Sequence, residues 1–322
     1  MKKTAPNNER LVENMLRAVD LCCGGGGWAC AARGLPIQII AAADLWEPAC
    51  RTYALNHRGT IVMQGDLRSP EFRAEFFTRS GGNIDVVLGG IPCEWLSVYR
   101  NLQKVKPEEL EQQRETLDCV LALSDYFQPR WWCLEDVIQL KRELPIFTPY
   151  VVLDARHWSA QRRKRLFVGR FPKPRRPNVK LTLGDVTRPG PYRIGRRLYG
   201  RKPQFTRTFA NDTCLAAPLD RKGPTVLSQC SRRDAEMAIL DPSVPGGMRN
   251  PEWQEMAALQ GFPTDYLFYG SPSDVMKMVG RAVQIDLARA ILQGIVDEWK
   301  TPPAETTAGK SKVKEPAHRP LL

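Results

Sequence analysis

Five short apolar runs in the first half of the chain constrain its fold more than any other feature: RAVDLCC (17–23), IQIIAAAD (37–44), TIVMQGD (60–66), IDVVLGG (84–90) and WWCLEDV (131–137). Most lack polar alternation, the pattern of strands buried on both faces of a sheet. Helical stretches lie between them. WEPACRTYALN (46–56) is one; 107–128 is another, with Leu110, Leu117, Val120, Leu121, Ser124 and Phe127 on one face and Pro107 placed to start it. Strand and helix in alternation predict an α/β fold with a doubly wound, Rossmann-like sheet. A chain of 322 residues can bury one large core and still carry a smaller lobe.

The texture changes near residue 171, where FPKPRRPNVKLTLGDVTRPGPYRIGRRLYGRKPQFTR is rich in Pro, Gly, Arg and Lys and has little helical period. Helical periodicity returns over 274–299, interrupted around Gly280, and the polar end 301–322 reads as a disordered basic tail. The expected organisation is a main domain at 1–170 completed by 272–300, with a small basic lobe at 171–271. No internal repeat is visible.

Net charge is +12, an excess that suits a polyanionic partner, most simply nucleic acid. Between 188 and 222 the excess is concentrated: Arg188, Arg193, Arg196, Arg197, Arg201, Lys202, Arg207, Arg221 and Lys222 face only Asp212 and Asp220, with Tyr192 and Tyr199 interleaved. Cationic and aromatic side chains in this mixture suit phosphates and base edges. Nine cysteines without a Cys-x-x-Cys pair, and only His57, His157 and His318, argue against both a zinc site and a disulfide framework. No apolar run has the length of a membrane span, and the start MKKTAPNNER lacks the apolar stretch of a signal peptide. A soluble cytoplasmic protein with reduced thiols, no metal and no membrane partner is expected.

DLCCGGGGW (20–28) follows the first strand, and its glycines allow a ligand to lie against backbone N–H groups at a helix start. Asp20, Asp44 and Asp66 stand at successive strand ends, on the edge where open α/β sheets bind ligands. The spaced dinucleotide fingerprint fits poorly and no phosphate-loop Gly-Lys-Ser/Thr is present, so the ligand expected is a nucleoside without a phosphate chain. S-adenosylmethionine fits, with Asp44 toward ribose, Asp66 toward the adenine amine, and the turn, including Gly24 and Gly26, toward the methionine end. A turn kept only for packing is the alternative.

DLCCGGGG, GGIPCEWLS, LEDV, QRRKR, EMAALQGFP and GRAV occur in this order over residues 20–283. This series resembles the ordered motifs of the cytosine-C5 DNA methyltransferases. The resemblance implies methyl transfer from S-adenosylmethionine to C5 of a cytosine flipped out of double-stranded DNA. It further implies a target-recognition role for the basic lobe, a monomer, and restriction-modification or phage DNA modification in a prokaryotic or phage-infected cytoplasm. Cytosine C5 is a poor nucleophile, and a thiolate adding at C6 makes it electron-rich. Cys93, after Pro92 at the end of the fourth strand, matches the family's nucleophile, and Pro92 joins the expected cofactor wall. Glu135 of LEDV, kept protonated by burial, would donate toward N3 of the ring. Arg165 would hold O2, and Arg163, two residues earlier on the same face of an extended segment, would hold phosphate or support the site.

Three residues depart from the family pattern: Glu94 replaces Gln after the nucleophile, Asp136 replaces Asn in Glu-Asn-Val, and Arg281 replaces the common Asn of Gly-Asn-x-Val. A guanidinium beside a sulfonium is unfavourable unless a carboxylate lies between them. That admits carboxy-S-adenosylmethionine and carboxymethyl transfer as a second reading, although the animal de novo branch carries a Gly-Arg version with the ordinary cofactor. Cytosine methylation of RNA and a non-catalytic DNA-binding protein on the same fold are further alternatives.

Overall fold

The computed structural model describes residues 14–91, 107–177, 179–187, 202–204, 213–228, 238–245 and 247–301. Pro92, Cys93, Glu94, Arg188, Arg193, Arg196, Arg197, Arg201, Arg207 and the tail beyond Thr301 lie outside them. The backbone of Lys202 is described, in a strand.

The apolar runs form β1 (Leu16–Leu21), β2 (Ile37–Asp44), β3 (Ile61–Gln64), β4 (Val86–Gly90) and β5 (Trp131–Asp136). Two more strands, β6 (Tyr150–Asp154) and β7 (Lys164–Arg170), complete a seven-stranded sheet ordered β3-β2-β1-β4-β5-β7-β6. The first five strands are parallel, and β7 runs antiparallel to both β5 and β6. Helices α1 (Gly27–Ala32), α2 (Glu47–Asn56), α3 (Pro70–Ser80) and α4 (Pro107–Tyr126) make the crossovers. The chain runs outward from β1 through β2 to β3, then returns to the other side of β1 as β4. This reversal opens a crevice at the carboxyl ends of the strands.

Strand pleating divides the core in two, because successive side chains point to opposite faces. Ala18 of β1 packs with Trp28, Tyr53, Leu287, Ile291 and Ile295 on one face. Val19 and Leu21 pack with Phe76, Leu117, Val120 and Leu123 on the other. The helical stretch near the end divides as the glycine suggested, into α6 (Pro272–Arg281) and α7 (Ile285–Lys300), with α5 (Trp253–Leu259) before them.

The segment 171–271 does two things. It supplies a second, four-stranded sheet, β8 (Lys202–Gln204), β9 (Thr213–Pro218), β10 (Ala238–Leu240) and β11 (Met248–Arg249), in the order β11-β10-β9-β8. It also sends Leu183, Val226, Met256, Leu259, Phe262 and Tyr266 into the main core, where they meet Val275 and Val279 of α6. The apolar face of α5 accounts for this, since Met256 and Leu259 sit three positions apart and are both buried. Buried Arg249 ties the two parts together, pairing with Asp241 at 2.6 Å and with Glu255 of α5 at 2.7 Å.

Candidate functional site

A cavity of about 700 Å³ occupies the crevice at the strand ends. Each parallel strand contributes where it stops: Cys22–Gly24 after β1, Asp44–Trp46 at the end of β2, Gly65–Arg68 after β3, Gly90–Ile91 at the end of β4 and Glu135–Val137 at the end of β5. Arg163 and Arg165, the end of α6 and residues 226–228 close the remaining sides. Its size falls in the range of small-molecule and cofactor sites.

On the β2–β3 side, Asp44 organises the glycine turn. Its carboxylate accepts from Gly24 N at 2.8 Å and from Trp46 N at 2.9 Å. Burial pushes its pKa up, and those backbone N–H groups and the Arg281 charge oppose the rise. Gly24 has φ +53°, and a Cβ built there would meet nothing within 4 Å. The turn therefore presents bare backbone to open space, as a cradle for the polar end of a ligand does. Behind it, the Tyr266 hydroxyl donates to Gly25 O at 2.6 Å and lies 3.0 Å from His57 Nε2. Burial, followed by the Arg33 charge, lowers the His57 pKa to about 4, so this buttress is neutral. Asp66 is gripped by Arg68, whose Nε lies 3.0 Å from both carboxylate oxygens and whose terminal nitrogen lies 2.6 Å from Oδ2. Hydrogen bonding from Arg68 holds Asp66 below the usual carboxylate range.

Two expected cofactor residues are off the wall. Asp20 is fully buried and accepts from the Tyr53 hydroxyl at 3.3 Å. Depth in the sheet is the reason: Asp20 pairs with Ala42, two residues short of Asp44 on the same face, so it lies below the crevice against Tyr53 of α2, and burial pushes its carboxyl well up. Gly26, at φ +90°, is the N-cap of α1, and a Cβ there would lie 2.6 Å from the Tyr266 hydroxyl. Both residues shape the turn from behind. Arg281 is on the wall and exposed. It stands one helical turn beyond Lys277, and the two cations lie 5.9 Å and 4.6 Å from the Trp46 ring centre.

On the β5–β7 side, Glu135 is 6% exposed. Arg165 Nε lies 3.2 Å from its Oε1 and Arg163 Nε lies 3.9 Å away, yet Oε1 makes no hydrogen bond to any described residue. Burial pushes its pKa up, against the pull of the two guanidinium groups. Antiparallel pairing of β7 with β5 brings QRRKR to this carboxyl. Of the two roles expected of Arg163, support of the site fits and phosphate contact does not. Arg163 is 2% exposed and donates to Val226 O at 2.9 Å, Gly280 O at 3.2 Å and Ala282 O at 3.0 Å. It is a strut between β7, the 226–228 loop and the end of α6.

Two buried amides, Gln161 of QRRKR and Gln260 of EMAALQGFP, neither of them among the expected site residues, extend this strut. Gln161 donates to Gln260 Oε1 at 2.6 Å and accepts from Val226 N at 3.1 Å, and Gln260 donates to Val279 O and Ala282 O. Trp46, Arg68 and Lys277 were also missed, although Trp46 follows Asp44 by two positions and so had to leave the same strand end.

Cys22 and Cys23 line the cavity, but burial and then the Asp44 charge push both thiols well up, so neither is prepared as a thiolate. Ile91, the last described residue of its segment, is on the wall two positions before Cys93. Among the described residues no group of His, Cys, Asp and Glu is arranged to hold a metal, and no helix is long and apolar enough to cross a membrane.

Known proteins resemble this chain in sequence and in fold. The Haemophilus influenzae type II methyltransferase M.HindV is 22% identical over 321 residues, covering 89% of this chain and 98% of the relative. M.HgiDI of Herpetosiphon aurantiacus, also a type II methyltransferase, is 24% identical over 304 residues, covering 85% and 92%. The solved structure of the Entamoeba histolytica methyltransferase EhMeth superposes with a TM-score of 0.68 at 12% identity, over 88% of this chain and 99% of that one, a likeness of fold. The family described as C-5 cytosine-specific DNA methylase matches residues 16–145 and 220–297, more than half of the sequence and all but the outer β6–β7 edge of the cavity's frame. The chain belongs to that family of cytosine-C5 DNA methyltransferases.

Proposed function

We propose that this protein transfers the methyl group of S-adenosylmethionine to C5 of a flipped cytosine in double-stranded DNA, through a covalent bond between Cys93 and C6. The observation that carries the reading is Glu135: a nearly buried carboxyl with raised pKa, an Oε1 with no hydrogen bond among the described residues, and a guanidinium beside it, in the same cavity as the bare glycine turn. A structural carboxylate would have its hydrogen bonds filled. A carboxyl that must reach a substrate atom keeps a position open.

The residues divide the work. Cys93 adds to C6 as a thiolate, forming the S–C6 bond while the C5–C6 π electrons move toward the ring's N3 and O2. Protonated Glu135 donates at N3, and Arg165 donates at O2, so the charge is received where it develops. When bound, S-adenosylmethionine supplies an electrophilic methyl for C5. Removal of the C5 proton by a base, water in the simplest case, returns electrons that break the S–C6 bond. Asp44 and the Gly24 backbone would hold the cofactor's polar end and ribose, with Asp66 at the adenine edge and Pro92 along the same wall. Open space before Gly24 and a cavity of about 700 Å³ suit a nucleoside of this size. Arg188, Arg193, Arg196, Arg197, Arg201 and Lys202 would grip phosphates in the recognition lobe, with a steep salt dependence.

Arg281 and Lys277 favour a second reading, in which a cofactor with an extra carboxylate, carboxy-S-adenosylmethionine, donates carboxymethyl. Two cations one turn apart on the cofactor wall are the specific observation. One experiment tests both: DNA and, separately, RNA are incubated with the protein and either cofactor, digested, and their nucleosides weighed. The first reading expects cytosine heavier by one CH2 group, and only that product would dismiss the second. Unmodified cytosine with both cofactors would overturn the proposal, and transfer to RNA alone would redirect it.

A further inference from the structure

Arg163 and Arg165 turn into the cavity wall, but other cations nearby are exposed and take no part in the cavity. Arg162 and Lys164 alternate with Arg163 and Arg165 and point outward. Beside them runs the strap FPKPRRPNVK (171–180), in which Lys173, Arg175, Arg176 and Lys180 are exposed while Pro174 is buried. None of Arg162, Arg175, Arg176, Lys180 and Arg221 forms an ion pair with a described carboxylate. Of the nearby acids, Asp154 is paired to Arg156 at 2.7 Å and Asp185 accepts from Thr182 N and Oγ1.

The described residues of the strap, 171–177 and 179–180, are tied to their surroundings through Arg175 and Val179, which distinguishes them from a solvated charge run. Trp158 Nε1 donates to Arg175 O at 3.1 Å, Lys222 Nζ donates to Ser159 O at 2.7 Å and Val179 O at 3.3 Å, and Leu183 N donates to Arg221 O at 2.7 Å. Three prolines limit its backbone. These contacts draw the strap, the β6–β7 turn and residues 221–223 together. The β6–β7 turn leads directly into Arg163 and Arg165 on the cavity wall. Backbone immobilised before binding leaves only side-chain order to be lost when a partner docks.

We propose that Arg175, Arg176 and Lys180, with Arg162 and Arg221, form a phosphate-binding shelf that holds duplex DNA flanking the target cytosine, in addition to the cations at 188–202 assigned to phosphates above. The proposal rests on the DNA reading above. Its chemistry is sequence-independent: exposed cations on a stiff strap neutralise phosphates and displace counterions, without reading base edges.

The test compares the unaltered protein with the triple variant R175Q/R176Q/K180Q. Binding is measured across a salt series on a short duplex spanning only the target and on a long duplex extending well beyond it. For the long duplex the slope of log K against log salt should fall by about 2–3, from about 0.9 per lost phosphate contact. Affinity and methyl transfer on the short duplex should be unchanged, which also shows that the variant is folded. Equal slopes on the long duplex, or equal losses on both duplexes, would overturn the shelf. If the unaltered protein modifies no cytosine yet shows the length-dependent difference, the catalytic reading fails and the shelf stands.

Discussion

Asp44 and Glu135 both end parallel strands, both line one cavity, and burial pushes both carboxyls up. They are completed differently. Asp44 has its oxygens filled by Gly24 N and Trp46 N, and Asp66 next to it is gripped by Arg68. Glu135 has Arg165 beside it and an oxygen with no hydrogen bond among the described residues. The β2–β3 wall is thus a finished mould, whose acids shape the backbone a ligand lies on. The β5–β7 wall keeps unspent hydrogen-bonding capacity, which costs stability unless a substrate uses it.

The largest effect should come from breaking the unfinished wall. Glu135→Ala should lower kcat by roughly a hundredfold to ten-thousandfold, the span of general-acid contributions, with cofactor affinity nearly unchanged. Methyl incorporation and a cofactor titration measure the two together, and a parallel loss of cofactor affinity would erase the distinction between the walls. Asp44→Ala should do the reverse. It leaves the Gly24 and Trp46 N–H groups unpaired at about 1–3 kcal/mol each, seen as weaker cofactor binding and a lower melting temperature.

The pH dependence should separate the walls more finely. The folded chain keeps a proton on Glu135 that the unfolded chain has released, so stability declines as pH rises between the two pKa values and is flat above the folded one. The reaction rate should fall as pH rises through the same folded value, and Glu135→Gln should remove both dependences. Asp66 has the opposite sign: its depressed pKa gives stability that is present above the unfolded carboxylate range and lost as pH falls through the folded value. Arg68→Ala should move that acid-side loss upward. Asp66 is about a third exposed, so the stability change should stay under about 1 kcal/mol in an acid titration followed by circular dichroism.

Apolar runs with helices between them were enough to read the doubly wound sheet, because a strand buried on both faces has no other composition open to it. Strand ends then had to converge, so Asp44, Asp66 and Glu135 could be placed in one crevice before any coordinates. The register between strands is harder to read. Asp20 lies inside its run, and pairing sets it against Ala42, two residues short of Asp44 on the same face, which leaves it below the cavity. Arg163 was legible as an inward residue, but its carbonyl partners lie more than sixty positions away and nothing local encodes them. The Gln161–Gln260 pair was hidden for the same reason. The Arg68 grip on Asp66, two positions apart, was local and could have been anticipated from DLRS.

Transfer to cytosine C5 through Cys93 is tested most directly by separating and weighing the nucleosides of DNA incubated with S-adenosylmethionine and either the unaltered protein or Cys93→Ser. C5-methylated cytosine is expected with the unaltered protein and none with the variant. Methylated cytosine at an undiminished rate from Cys93→Ser would contradict it.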